Sequence, residues 1–171
     1  MTDPEPDEQR VVRLREPRHR VERSAILWWT LRVLGGLVPL LAALLVAHTL
    51  VESARPWLGP ILVVVAVVGA VLVLVMPTWR YRVHRWETSD EAVYSLSGWF
   101  VREWRVVPIS RIQTVDTVRG PLQQALGLST LAVTTASSRG TINIVGLNDK
   151  IATDVAEQLV EITQATPGDA T

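Results

Sequence analysis

Histidines 19, 48 and 84 are the side chains here best suited to moving a proton near neutral pH, and each lacks the partner that catalysis needs. No acid stands four residues from one of them within a predicted helix. His19 lies in a basic tail, His48 in an apolar run and His84 on a predicted strand. The chain has no HExxH, no GxSxG and no phosphate-cradling glycine loop. It also has no cysteine, which excludes disulfides, thiolate metal sites and a thiol nucleophile. The expectation is a non-enzymatic protein with no cofactor and no metal.

Binding chemistry is better represented. Arg111 and Gln113 stand two apart on a predicted strand, so they share one face with Val115. A guanidinium beside an amide can fix a carboxylate or a backbone segment through directed hydrogen bonds. The same pair could instead satisfy loop carbonyls within the domain. Arg80, Arg82 and His84 alternate on another predicted strand, and with Arg18, Arg20 and Arg23 they would form a basic collar. Beside an anionic leaflet each such charge contributes about 1 kcal/mol. Arginines that only orient membrane spans would form the same pattern. Trp86, Trp99 and Trp104 are candidates for a partner contact, for the core or for the membrane interface.

The elements that must position these residues begin with composition. Of 171 residues, 48% are apolar and 20% charged. Mean hydropathy is +0.23. Net charge is zero but uneven: residues 10–32 hold seven arginines against Glu16 and Glu22. Residues 78–171 hold eight arginines and Lys150 against ten acids. Aromatics do not interleave with the basic run, so nucleic acid is not an expected partner.

Two apolar runs dominate the first half. Ile26–Val51 contains 19 uncharged residues from Val33 onward, about 28 Å as a helix. Trp57–Pro77 is 21 residues without a charge. Both match a hydrocarbon core of about 30 Å and lack the polar stripe of a soluble helix. The link Glu52–Pro56 forces an antiparallel hairpin. Arginines crowd the ends away from that link, which has only Arg55, so both termini are expected in the cytoplasm and the protein in the inner membrane. Trp28, Trp29, Trp57 and Trp79 fall near the expected interfaces. The first run exceeds a signal peptide's apolar core, and no small-x-small cleavage site follows it before the second run. Ala43/Ala47 and Ala66/Ala70 have the spacing of closely approaching helices. His48 is near the outer end of its span, with no second ionisable group to form a relay.

After Pro77 the pattern turns to short strands. Candidates are 80–86, 92–96, 99–107, 112–118, 128–135 and 141–145, with a helical turn at 121–126. Ile151, Val155, Leu159 and Ile162 then recur at helical spacing, with Asn148 or Asp149 as N-cap. Met1–Glu8 and Gly168–Thr171 read as disordered acidic tails.

Four blocks now stand in order: Pro108–Asp116 (PISRIQTVD), Arg119–Gln123 (RGPLQ), Gly127–Ala136 (GLSTLAVTTA) and Val145–Leu147 (VGL) before a helix. With the two preceding spans, this resembles the YdbS-like family of bacterial membrane proteins with a pleckstrin-homology-like domain, over about Arg13 to Gln164. Gln124 departs from the arginine found in many members, so any contact that arginine serves is in doubt. The resemblance implies a membrane α + β fold: a two-helix transmembrane hairpin followed by a pleckstrin-homology-like β-barrel capped by a C-terminal helix. The expected divisions are a basic tail at 1–25, the hairpin at 26–77, the barrel domain at 78–166 and a tail at 167–171. The expected role is a membrane-anchored scaffold engaging a membrane-protein partner, such as another pleckstrin-homology-like module, through Arg111, Gln113 and Val115. The alternative is an anionic-lipid sensor using Arg18, Arg20, Arg23, Arg80 and Arg82.

Overall fold

Leucine, valine and alanine runs without a breaking charge favour helix, and the structure, a computed structural model, forms two long ones. It describes residues 16–135 and 141–165. The expected disordered tails at 1–8 and 168–171, the arginines at 10, 13 and 15, and the loop 136–140 lie outside the described residues.

Helix α1 spans Ser24–Leu50 and α2 spans Arg55–Val83, joined through a 3₁₀ turn at Glu52–Ala54. Arg55 closes the link: its Nε donates to the His48 carbonyl at 3.2 Å and its Nη2 to the Thr49 carbonyl at 3.1 Å. Two acceptors left open at the end of α1 are satisfied in this way. The helices approach closely where Gly69 is buried, since a Cβ there would lie 2.5 Å from the Leu37 side chain. Ala43 and Ala70 face outward, so the alanine pairs are not the point of closest approach. Away from that contact the apolar faces are uncovered; Leu40 and Leu74 are exposed. Each helix is long and apolar enough to cross a membrane.

The second helix runs six residues past Pro77, so residues 80–83 are helical and not the start of a strand. Proline removes one donor, but the helix continues because its last turn is held by tertiary contacts. Val83 is buried, and Tyr81 packs against the domain core. Arg80, Arg82 and His84 therefore do not alternate along a strand.

The strands form two antiparallel sheets. Strands β1 (His19–Arg20), β2 (Arg85–Thr88), β3 (Ala92–Gly98) and β4 (Arg102–Pro108) form the first in that order. Strands β5 (Ile112–Val118), β6 (Leu128–Thr135) and β7 (Thr141–Asn148) form the second. Helix α3 is the short turn Pro121–Ala125, and α4 is Asp149–Ala165.

The expected closed barrel is not observed. Among the described residues no ladder joins β4 to β5 or β7 to β1, leaving a mixed α/β fold of two open sheets. At one corner the cause is local: Pro108 offers no ladder donor, and a 3₁₀ turn at Ile109–Arg111 swings the chain away before β5. At the other, one bond stands where a ladder would be: Glu22, just after β1, donates its backbone N–H to the Gly146 carbonyl of β7 at 2.8 Å. Arg105 Nη1 on β4 separately donates to the Thr141 carbonyl of β7 at 3.0 Å.

One core lies between the sheets. Val93 and Val107 enter from the first sheet, Leu131, Val133 and Ile144 from the second, and Leu159 from α4. Helix α4 buries Ala152, Val155 and Leu159, while Ile151 is exposed, so its apolar stripe is rotated relative to the expected one. Asn148 caps this helix, its Oδ1 accepting the Lys150 N–H at 3.1 Å. Val21 and the start of α1, through Ala25, Trp28 and Trp29, join the same core.

Candidate functional site

Strand β5 ends a sheet, so one of its edges has no strand partner among the described residues. Its register on β6 passes from Ile112 opposite Thr135 to Thr114 opposite Thr134, and Gln113 is the extra residue of a β-bulge. The bulge resets the alternation. Ile112 is buried and Val115 packs on the core, whereas Gln113, Thr114, Asp116 and Thr117 are exposed. Gln113 and Val115 therefore do not share a face, and Arg111 lies in the 3₁₀ turn that leads into β5. Arg111 and Gln113 nonetheless stand together at the start of the edge that lacks a strand partner, on a segment that α4 also contacts. Both are exposed, and their side chains form no hydrogen bond or ion pair with any described residue.

The neighbouring polar residues of the same sequence blocks have internal roles. Gln123 is buried; its Oε1 accepts the Gly120 N–H at 3.0 Å and its Nε2 donates to Thr130 Oγ1 at 2.9 Å. Arg119 pairs with Asp149 at 2.6 Å, and Ser129 Oγ donates to the other oxygen of that carboxylate at 3.0 Å. These bonds tie the end of β5 to β6 and to the first turn of α4. Gln124 is exposed on α3.

The arginine collar divides. Arg18 pairs with Glu87 at 3.6 Å, and Arg20 and Arg23 are exposed. Arg80 turns inward, its guanidinium 4.9 Å from the centre of the Trp29 ring. Arg82 faces solvent and lines a cleft of about 260 Å³ with Arg85, Arg102, Glu16 and Trp79. Glu16 pairs with Arg85 at 3.5 Å across that cleft.

Sequence reasoning missed the junction built on Trp29. Trp28 and Trp29 are buried in the domain core and do not lie at an exposed membrane interface. His84, just beyond α2, packs on Trp29 with ring centroids 5.2 Å apart. Its Nδ1 lies 2.9 Å from the Arg80 carbonyl, an acceptor, so Nδ1 carries the proton. The free Nε2 then accepts from Arg80 Nε at 3.3 Å. Burial first, and the Arg80 cation second, lower the His84 pKa to about 4, against the opposing Nδ1–carbonyl bond. The unfolded chain thus binds a proton that the folded chain refuses between about pH 6.5 and 4. This stability is complete above the unfolded pKa and is lost as pH falls toward the folded one. Thermal unfolding of the detergent-solubilised protein is expected at lower temperature at pH 5 than at pH 7.5, by about 2 kcal/mol of stability. The difference should shrink in His84→Gln; an equal difference in that variant would locate the titration elsewhere.

With this geometry in view, comparison with known proteins decides the family: residues 31–162 match the bacterial PH domain family. The chain belongs to the bacterial PH domain family. The match takes in most of α1, all of α2 and strands β2 to β7, and begins after β1 and the first turns of α1. The transmembrane protein YdbS of Bacillus subtilis (strain 168) is 29% identical over 126 residues, which is 72% of this chain and 79% of that protein. No solved structure matches the chain. Similarity to a transmembrane protein, together with two uncovered apolar helices, supports membrane association. Membership of the bacterial PH domain family accords with a non-catalytic binding protein.

Proposed function

We propose that this bacterial PH domain protein is a non-enzymatic membrane adaptor whose domain engages a membrane-protein partner through the free β5 edge. Helices α1 and α2 are the two spans of a hairpin whose link faces outward and whose arginine-rich ends face the cytoplasm. The uncovered leucine and valine faces favour lipid as their surroundings, since in water they would form a large apolar patch. The concentration of arginine at the ends away from the link supports the orientation. The proposed partner is a membrane protein, with another module of the same fold as the class to look for first.

The observation that carries the reading is the state of Arg111 and Gln113. Both side chains are exposed and without a partner among the described residues at the start of an edge strand, while Arg119, Gln123 and Ser129 nearby are used internally. An open edge offers backbone groups to a partner's strand, and a guanidinium with an amide adds specificity. Affinity purification from native membranes at matched expression tests the proposal. A membrane protein recovered with wild type is expected to fall at least ten-fold with Arg111→Ala/Gln113→Ala, whose unfolding temperature stays unchanged. Equal recovery with both would remove these residues from recognition.

The cleft lined by Arg82, Arg85 and Arg102 favours a second reading, in which an anionic headgroup at the inner leaflet is bound. Recovery of anionic lipid alone, lost in Arg82→Ala/Arg102→Ala, would support this second function over the first.

A further inference from the structure

The turn between β3 and β4 consists of Trp99, Phe100 and Val101, which are 39%, 91% and 76% exposed. Outside α1 and α2 it is the one run of three consecutive exposed large apolar side chains among the described residues. Hairpin turns in water are usually built from glycine, asparagine, aspartate and serine. Here only Gly98 follows that pattern. Its φ is +131°, and a Cβ would overlap the Val101 carbonyl oxygen, so the glycine shapes the turn while the tip stays apolar.

The register says where this tip points. Strand β2 leaves the end of α2 and pairs Arg85 with Leu96, so β3 returns toward the helix and runs past it. From Leu96 to Trp99 is about 10 Å of strand. From Arg85 back to Trp79 is about 9 Å of chain, mostly helix. The two distances meet in a hydrogen bond: Trp79 Nε1 donates to the Trp99 carbonyl at 3.1 Å. Trp79 stands two residues after Pro77, where the uncharged run of α2 ends, and is itself 48% exposed. Trp99 and Phe100 meet edge to face with centroids 6.0 Å apart. Exposed Arg82 and Arg102 flank the turn. Aromatic rings beside cations, level with the end of an apolar helix, match the headgroup boundary of a bilayer.

We propose that Trp99–Val101 is a third membrane contact, in which the hairpin tip beds into the interfacial layer of the leaflet that α2 leaves. The occupant of this apolar surface is the lipid boundary around the chain's own helices. The contact would fix the domain against the membrane at a point away from the helix–domain junction, limiting its rotation about α2. This inference rests on the transmembrane reading of α1 and α2.

The absence of cysteine provides the test, because a single introduced thiol takes one fluorophore. Full-length Phe100→Cys, Val67→Cys and Asp154→Cys, each carrying an NBD label, are reconstituted into phosphatidylcholine–phosphatidylglycerol vesicles. Quenching is read with shallow and deep doxyl-labelled lipids and with aqueous iodide. Val67 is exposed in the middle of α2 and Asp154 is exposed on α4, so they report the bilayer and the aqueous phase. The Phe100 label is expected to be quenched by the lipid at least three-fold more than the Asp154 label, and less by iodide. Val101→Cys should behave likewise. If Phe100 matches Asp154 while Val67 is lipid-quenched, the tip proposal falls and the spans stand. If Val67 is not lipid-quenched either, both fall. A Phe100 label shielded from iodide yet unquenched by lipid would mean that protein covers the tip, which also overturns the proposal.

Discussion

Trp29→Ala is expected to destabilise the protein by about 3–5 kcal/mol, the range for truncating a buried aromatic side chain. The ring is 2% exposed and lies where the first turns of α1, the end of α2 and the sheet core meet. Its indole Nε1 is buried without a hydrogen-bond partner among the described residues, so truncation removes packing and none of the described hydrogen bonds. Two further contacts go with it: the Arg80 guanidinium loses its ring face, and the His84 imidazole loses the wall that keeps it dry. The His84 pKa should then rise from about 4 toward its ordinary value as water enters. Thermal unfolding in detergent measures the first effect, and titration of the His84 ring signals by NMR measures the second. Trp57→Ala, at an exposed position beside the hairpin link, should change unfolding by less than about 0.5 kcal/mol. Similar losses for both tryptophans would mean that Trp29 is not a special junction residue.

Gly146→Val should cost about 2–5 kcal/mol, from a strained backbone together with overpacking. Gly146 has φ of +82°, where a β-branched residue is strongly disfavoured. An added Cβ would also lie 2.8 Å from the Ala25 side chain, at the buried start of α1. The same glycine accepts the Glu22 N–H through its carbonyl, a bond that ties the segment leading into α1 to β7. Displacement of that segment should expose the chain near Glu22 and Arg23 to protease. Limited trypsin digestion is expected to cut Gly146→Val at Arg23 faster than wild type, alongside a lower unfolding temperature. Gly120→Ala is the comparison, since its φ of −80° suits any residue and an added Cβ would meet only Gln123 Oε1, at an unstrained 3.8 Å. If Gly146→Val unfolds and cleaves like wild type, the bond from α1 to β7 contributes little.

Much of the fold was legible because its signals are periodic and local. Uninterrupted leucine and valine marked both long helices, and alternation marked β5, β6 and the start of β7. The last turns of α2 were misread, because Arg80, Tyr81, Arg82 and Val83 alternate polar and apolar as a strand would. A proline three residues earlier reinforced that reading. Tertiary contacts of Val83, Tyr81 and Trp29 decide for helix, and no local pattern reports them. The open sheets were also hidden, since strand count says nothing about whether the last pair of edges closes. His19–Arg20 is too short to announce itself as a strand and forms only by pairing with Arg85 and Trp86.

The candidate site was legible in part. Arg111 and Gln113 were visible as a polar pair between apolar residues, but the bulge that separates Gln113 from the Val115 face depends on pairing with β6. Trp29 was misassigned for a chemical reason, since an indole at the start of an apolar helix has the same sequence signature in an interface and in a core. The internal bonds of Arg119, Gln123 and Ser129 explain the polar residues of the sequence blocks without a ligand. That explanation is what leaves Arg111 and Gln113 distinct.

The most direct test of the adaptor account is site-specific photo-crosslinking in native membranes from position 113. A photoreactive phenylalanine analogue replaces Gln113 in one variant and Asp154, exposed on α4, in another. The account predicts a discrete adduct with a membrane protein from position 113 and none of that size from position 154. An Arg111→Ala change in the same chain should weaken the adduct while the domain remains folded. No adduct from 113, or the same adduct from both positions, would contradict recognition at the β5 edge.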